Sequence, residues 1–220
     1  MFARLTTIWV PPSRLEEAVQ FVRTEVIPVM VPQPGLVGTW LLVARPAGKL
    51  LAIGLWESEE AMSATTFLYQ ELRAKVGSLY GGPPIAERYE ARPPEQGVYL
   101  VHTAPARPGD LVAARVARVT MLEGAPERVE DVVRQVEAQI APALERLRGY
   151  LGLYLLADSR RGTVRSVALW ASAEALQASD AAVAPLRAEA AATLGARAAP
   201  SVELFEVAVQ ERGQRQGAGR

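Results

Sequence analysis

The chain contains no cysteine among its 220 residues. Disulfides, thiolate metal sites, iron–sulfur clusters and cysteine nucleophiles are therefore excluded. Histidine is almost missing as well: His102 stands alone, so one chain cannot build a zinc site from several imidazoles. Neither sign of charge dominates, because 24 basic residues meet 24 acidic ones. No strong field steers the chain to DNA, RNA or an anionic membrane. Lysine occurs only at Lys49 and Lys75, and arginine carries the rest of the positive charge. No run approaches the ~20 apolar residues of a membrane span. The start, Met1-Phe2-Ala3-Arg4-Leu5, lacks the basic region and long apolar stretch of a signal peptide. The expectation is a soluble cytoplasmic protein with no metal, no cofactor, and neither nucleic acid nor membrane as a partner.

What is present is an internal repeat. An offset of 114 residues lays Ala3-Arg4-Leu5-Thr6 on Ala117-Arg118-Val119-Thr120 and keeps register without a gap to about Met62. Pro12, Arg14 and Pro28 fall on Pro126, Arg128 and Pro142. Gly35, Gly38 and Gly48 fall on Gly149, Gly152 and Gly162, and Leu55-Trp56-Glu57-Ser58 falls on Leu169-Trp170-Ala171-Ser172. After a two-residue insertion, Pro84–Glu90 falls on Pro200–Glu206. Glycines, prolines and a tryptophan held in one register point to duplication.

Each copy reads β-α-β-β-α-β. Residues 3–10 form a β-rich run that ends at Pro11-Pro12. Ser13-Arg14-Leu15-Glu16 has the form of a capping box. Leu15, Ala18, Val19, Val22 and Val26 follow at helical spacing, as do Val129, Val132, Val133, Val136 and Ile140. Leu36–Ala44 and Leu50–Trp56 flank the turn Arg45-Pro46-Ala47-Gly48, and the second copy repeats this through Arg161-Gly162. Ser58 and Ser172 stand where N-caps belong. The next helices carry Met62, Thr65, Tyr69, Leu72 and Val76, matched by Leu176, Ser179, Val183, Leu186 and Ala190, with Pro185 expected to kink the second.

This order predicts an α+β fold of two ferredoxin-like repeats whose antiparallel sheets pack into one pseudo-dimeric α/β barrel. The expected division is 1–93 for the first repeat, 94–113 for a linker able to add an edge strand, 114–210 for the second repeat, and 211–220 for a disordered tail. One chain can close such a barrel alone, giving a monomer with an intrachain pseudo-dimer. A homodimer through the edge strand Val98–Thr103 is the alternative.

The third strands end in Trp56-Glu57-Ser58-Glu59-Glu60-Ala61 and Trp170-Ala171-Ser172-Ala173-Glu174-Ala175. On these residues the chain resembles the antibiotic biosynthesis monooxygenase-like family of the dimeric α/β-barrel superfamily. The resemblance covers both copies. It implies cofactor-independent oxygenation of phenolic compounds to quinones, or haem degradation, in a pocket lined by the tryptophan. The quinone-forming pattern has an asparagine four residues before the tryptophan, where this chain has Ala52 and Ser166, and a tyrosine in the next helix, where it has Met62 and Leu176. The haem pattern has a histidine where this chain has Thr66 and Asp180.

From the residues themselves, Trp56 and Trp170 share a strand face with small neighbours, Ala52 and Gly54 in one copy and Ser166 and Ala168 in the other. Two readings fit: the tryptophan walls a pocket for a flat ligand, or the small residues admit a closely packed helix and the tryptophan fills the core. Trp40 and Tyr154 are matched aromatics on the second strands, their face set by a hairpin register that sequence does not fix. Thr6 and Thr120 recur with Arg4 and Arg118 on the first strands. Such an arginine either orients an anionic or phenolic substrate or reaches solvent from a strand end. His102 lies between the copies without a triad partner, and Glu87, Glu90, Glu203 and Glu206 alternate across strand faces. The substrate-binding set is therefore Trp56, Trp170, Trp40, Tyr154, Thr6 and Thr120, around a small aromatic ligand, with the catalytic residues unassigned. A non-enzymatic binding or scaffolding protein of the same fold is the alternative.

Overall fold

Alternating apolar and polar residues make the strands. In chain order they are β1 (Phe2–Trp9), β2 (Leu36–Ala44), β3 (Lys49–Trp56), β4 (Ile85–Tyr89), β5 (Val98–Tyr99), β6 (Val116–Glu123), β7 (Tyr150–Asp158), β8 (Thr163–Trp170) and β9 (Ser201–Arg212). The helices are α1 (Leu15–Phe21), α2 (Ile27–Met30), α3 (Glu59–Ala64), α4 (Thr66–Tyr80), α5 (Val129–Gln135), α6 (Ala141–Glu145), α7 (Ala173–Ala178) and α8 (Asp180–Leu194). The computed structural model describes residues 2–80, 85–89, 98–99 and 114–213. They form two units, one of Met1–Arg88 with Val207–Arg220 and one of Tyr89–Glu206.

In the first unit the strand order is β4-β1-β3-β2, followed by the part of β9 from Val207 on. In the second it is the start of β9, then β6-β8-β7, then β5. Both are the ferredoxin-like order, antiparallel at β1–β3, β2–β3, β6–β8, β6–β9 and β7–β8. The fold class is α+β with two ferredoxin-like units, as expected. In the second unit one sheet face carries the helices over a core of Val132, Val133, Leu153, Leu155, Ala168, Trp170 and Leu194. The first unit does the same with Leu15, Val19, Leu41, Val43 and Leu50.

Local chemistry explains the repeated details. Gly48 and Gly162 turn the hairpins at φ +60° and +66°, where a side chain is strained. Gly149 has φ +81°, and a Cβ there would stand 2.6 Å from the Cβ of Ala175, so only glycine lets β7 pass under α7. Ser58 and Ser172 cap α3 and α7, accepting from the amides of Ala61 and Ala175 at 3.1 and 3.2 Å. The first long helix of each unit opens into a π-turn, Val22–Val26 and Val136–Ile140. Pro28 and Pro142 stand just beyond. Each lacks an amide and crowds the carbonyl one turn back, which the wider turn relieves.

One local expectation is corrected. Ser13 caps nothing: Pro11-Pro12 start a 3-10 turn at Pro12, which puts Ser13 inside the turn, and α1 begins without a side-chain cap. Pro185 lies within α8, which runs from Asp180 to Leu194, and the interruption falls earlier, at Ser179. The first unit breaks at the equivalent Thr65 with no proline present. His102, Glu90 and Gly81-Gly82-Pro83-Pro84 lie outside the described residues.

Replacing Ser172 by alanine removes one capping bond and should lower unfolding free energy by about 1 kcal/mol. Urea unfolding reads this directly, and an unchanged midpoint would show that the cap contributes nothing.

Candidate functional site

The site of the second unit starts from Arg118 on β6. Its pairing sets Arg118 opposite Ala168 and Thr120 opposite Ser166 on β8. Small residues there leave room above the sheet for a long side chain, which explains why the tryptophan's strand neighbours are small. Arg118 is only 4% exposed. Its Nη1 donates to Ser179 Oγ at 3.0 Å and its Nη2 to the Leu176 carbonyl at 2.9 Å. Ser179 Oγ donates to the same carbonyl at 2.6 Å. In an unbroken helix that carbonyl would accept from residue 180, so the guanidinium takes the place of a helical bond and separates α7 from α8. The first unit repeats this: Arg4, 2% exposed, bonds Thr65 Oγ1 at 3.1 Å and the Met62 carbonyl at 2.8 Å. The strand-end arginines expected to reach solvent are thus buried, because a carbonyl freed at the helix break receives them.

In the second unit α8 adds charge. Asp180 Oδ1 lies 3.3 Å from Arg118 Nη2 and 2.9 Å from Arg187 Nη2. Burial pushes the Arg118 guanidinium below its usual value, the like charge of Arg187 adds to this, and Asp180 opposes it. The hydrogen bond from Arg187 holds the Asp180 carboxyl below its usual value, with the charges of both arginines helping. Two cations share one anion, leaving one net positive charge. Arg118 Nε and Arg187 Nη1 are buried without hydrogen-bond partners.

Both arginines line a cavity between sheet and helices. Its walls are apolar, with Leu153 and Leu155 from β7, Val136 and Ile140 from the π-turn, and Val183 from α8. Arg118, Thr120, Ser166 and Arg187 are its polar members. The space open to the centres of water-sized spheres is about 50 Å³, against roughly 10–15 Å³ for a single water. One ring fits.

The equivalent place in the first unit is filled. Tyr69, which answers to Val183 at the offset of 114, puts its ring 4.3 Å from the Arg4 guanidinium carbon. Its hydroxyl lies 3.2 Å from Thr6 Oγ1.

Residues 115–191 match the model of the antibiotic biosynthesis monooxygenase family. Over those residues the second unit is similar to the antibiotic biosynthesis monooxygenase family. The match spans β6 to most of α8, and so includes Arg118, Asp180, Arg187 and nearly all of the cavity wall. An uncharacterised protein of Mycobacterium tuberculosis H37Rv is 26% identical over 177 residues, covering 80% of this chain and 74% of its own. A second from that organism is 29% identical over 159 residues, covering 72% of this chain and 62% of its own. Among solved structures, one from Fusobacterium nucleatum described as a candidate monooxygenase covers 96% of this chain and 94% of its own, with TM-score 0.72 and 12% identity. An anthrone oxidase-like protein covers 100% of this chain and 96% of its own, with TM-score 0.66 and 13% identity. At such identities these structures share the fold.

Within the matched residues, the position of the family's asparagine is Ser166, a wall residue of the cavity. Leu176, in place of the family's tyrosine, gives its carbonyl to Arg118, and Asp180, in place of the haem-binding histidine, bridges two arginines. Of the residues singled out from sequence, Thr120 lines the cavity and Thr6 meets Tyr69. Trp56 and Trp170 are fully buried. Trp170 lies next to the cavity, 6.0 Å from the Arg118 guanidinium carbon and edge-on to Tyr150 at 5.5 Å. The Trp56 indole covers Gly54. Trp40 pairs with Ile53 and Tyr154 with Val167, which puts both on the sheet face away from the helices and the cavity. Glu206 is exposed and Glu203 half-buried, neither in the cavity wall. Among the described residues, no group of three His, Cys, Asp or Glu could hold a metal ion, and no helix is long and apolar enough to cross a membrane.

Sequence reasoning missed Arg187. The signal was there: it stands four residues after Val183 and seven after Asp180, on one helix face.

Asp180→Asn should lower stability at pH 7 by at most about 1 kcal/mol, because the carboxylate is over half exposed and screened. Asp180 is depressed in the folded state, so its contribution is present above the unfolded carboxyl value and lost as pH falls through the folded one. Wild type and variant should therefore converge in acid. A gap that widens as pH falls would refute this pairing.

Proposed function

We propose that the second unit binds a small aromatic compound in the cavity under α8 and oxidises it with dioxygen, without a cofactor. The observation that carries this reading is the cavity itself: a ring-sized apolar space within the residues that match a monooxygenase family, closed on one side by two arginines with a single counter-ion. The surplus positive charge favours a phenolate over its phenol. A phenolate is electron-rich and reduces dioxygen directly. In the overall reaction the ring carbon para to the hydroxyl loses its C–H bond and gains one oxygen atom as a carbonyl. The phenolic O–H becomes the second carbonyl, and the other dioxygen atom leaves as water with the two hydrogens. The four electrons that the ring loses are the four that dioxygen takes up. Arg118 and Arg187 hold the anion, Thr120 and Ser166 offer hydroxyls, and the apolar walls exclude water. The likeness in fold to an anthrone oxidase-like protein supports an oxidation, not the size of its substrate.

One observation favours binding without chemistry. Among the described residues no carboxylate or imidazole lines the cavity, so none of them serves there as a general base. In the oxygenase reading the proton therefore leaves to water. One chain supplies both units, so the working form is read as a monomer.

Tryptophan fluorescence titrated with phenols, anthrones and quinones should show saturable quenching, and the best binder should consume dioxygen. Ser166→Phe, which fills the cavity from β8, should abolish both while thermal unfolding stays cooperative. Quenching without oxygen uptake would establish a binding module in place of an enzyme. Quenching that Ser166→Phe leaves intact would move the ligand out of this cavity and defeat the proposal.

A further inference from the structure

The two units hold the same arrangement in two states, one filled and one empty. Arg4 and Arg118 make the same pair of bonds to a helix-end carbonyl and a hydroxyl. Thr6 and Thr120 stand two residues on, facing Ala52 and Ser166. Several positions differ, Thr66 against Asp180 among them, and the one that decides the space over the arginine is 69 against 183. In the first unit Tyr69 inserts a phenol, its hydroxyl on Thr6 and its ring on the Arg4 guanidinium. In the second, Val183 ends short, Thr120 faces open space, and Arg118 keeps a buried Nε without a hydrogen-bond partner.

We infer that Tyr69 is a built-in copy of the ligand: the second cavity takes a single-ring phenol, hydroxyl on Thr120 and ring face on Arg118, and the residue at 69 or 183 decides which unit is open. This rests on the reading of the second cavity as a binding site, and adds the pose, the size class and the count of one site per chain. The size agrees, since about 50 Å³ open to the centres of water-sized spheres admits one ring. The chemistry agrees as well: a cation over a ring face is attracted by its quadrupole, more strongly when both are out of water. Fused-ring compounds exceed the space that Tyr69 fills in the first unit.

The probe is 4-methylphenol, the tyrosine side chain as a free molecule, titrated calorimetrically into the full chain. Wild type should bind one molecule. Val183→Tyr should bind none, because the second unit then plugs itself. Tyr69→Val should bind two. Thr120→Val, which changes shape little, should weaken binding at least tenfold and keep the inference testable if Tyr69→Val fails to fold. Failure of wild type to bind 4-methylphenol would overturn the inference, as would one site in folded Tyr69→Val. If wild type binds only fused-ring phenols and Val183→Tyr abolishes that, the pose and size class fall while the cavity remains the site. If Val183→Tyr leaves binding unchanged, the site lies elsewhere and the proposed function falls too.

Discussion

A buried guanidinium has to be satisfied, and in each unit one on the first strand determines what surrounds it. Its length demands small residues across the ladder, which are Gly54 and Ala52 in one unit and Ala168 and Ser166 in the other. Its donors demand acceptors, and these come from a helix carbonyl released where the chain breaks between α3 and α4 or between α7 and α8. The break needs a hydroxyl to bond that same carbonyl, which Thr65 and Ser179 provide. Removing the arginine would leave that carbonyl with the hydroxyl as its side-chain donor and take away one of its two bonds.

Within that shared frame, the side chain that reaches back over the arginine from the covering helix differs. Tyrosine completes the first unit as a closed core. Valine leaves the second with polar groups pointing into a small apolar space, and Arg187 joins Asp180 at its edge. The two units have diverged from one pattern into a version closed by a side chain and a version with a cavity. The polar groups of that cavity come from β6, β8 and α8.

The fold was legible because duplication printed each signal twice. Glycines at 48 and 162, caps at 58 and 172, and the tryptophans at 56 and 170 fixed hairpin, helix start and strand end independently. What failed to show was chemistry that depends on contact across the chain. An arginine alternating with threonine on a strand reads as a polar face, and only the carbonyls of Met62 and Leu176 make it a buried one. Proline misled at one helix start, where Pro11-Pro12 shifted it past Ser13. Thr120 was identified from the repeat and lines the cavity. Trp40 and Tyr154 depended on hairpin register and fall on the other face. The mismatch of Tyr69 with Val183 is visible in the bare alignment, but its meaning needs the position of the tyrosine ring.

A crystal structure of the chain grown with 4-methylphenol tests the central claim most directly. The account predicts one molecule, in the second unit, with its oxygen within hydrogen-bonding distance of Thr120 Oγ1, its ring on Arg118, and Tyr69 still seated on Thr6. Ligand density elsewhere with the second cavity empty, or Tyr69 swung away from Arg4, would contradict it.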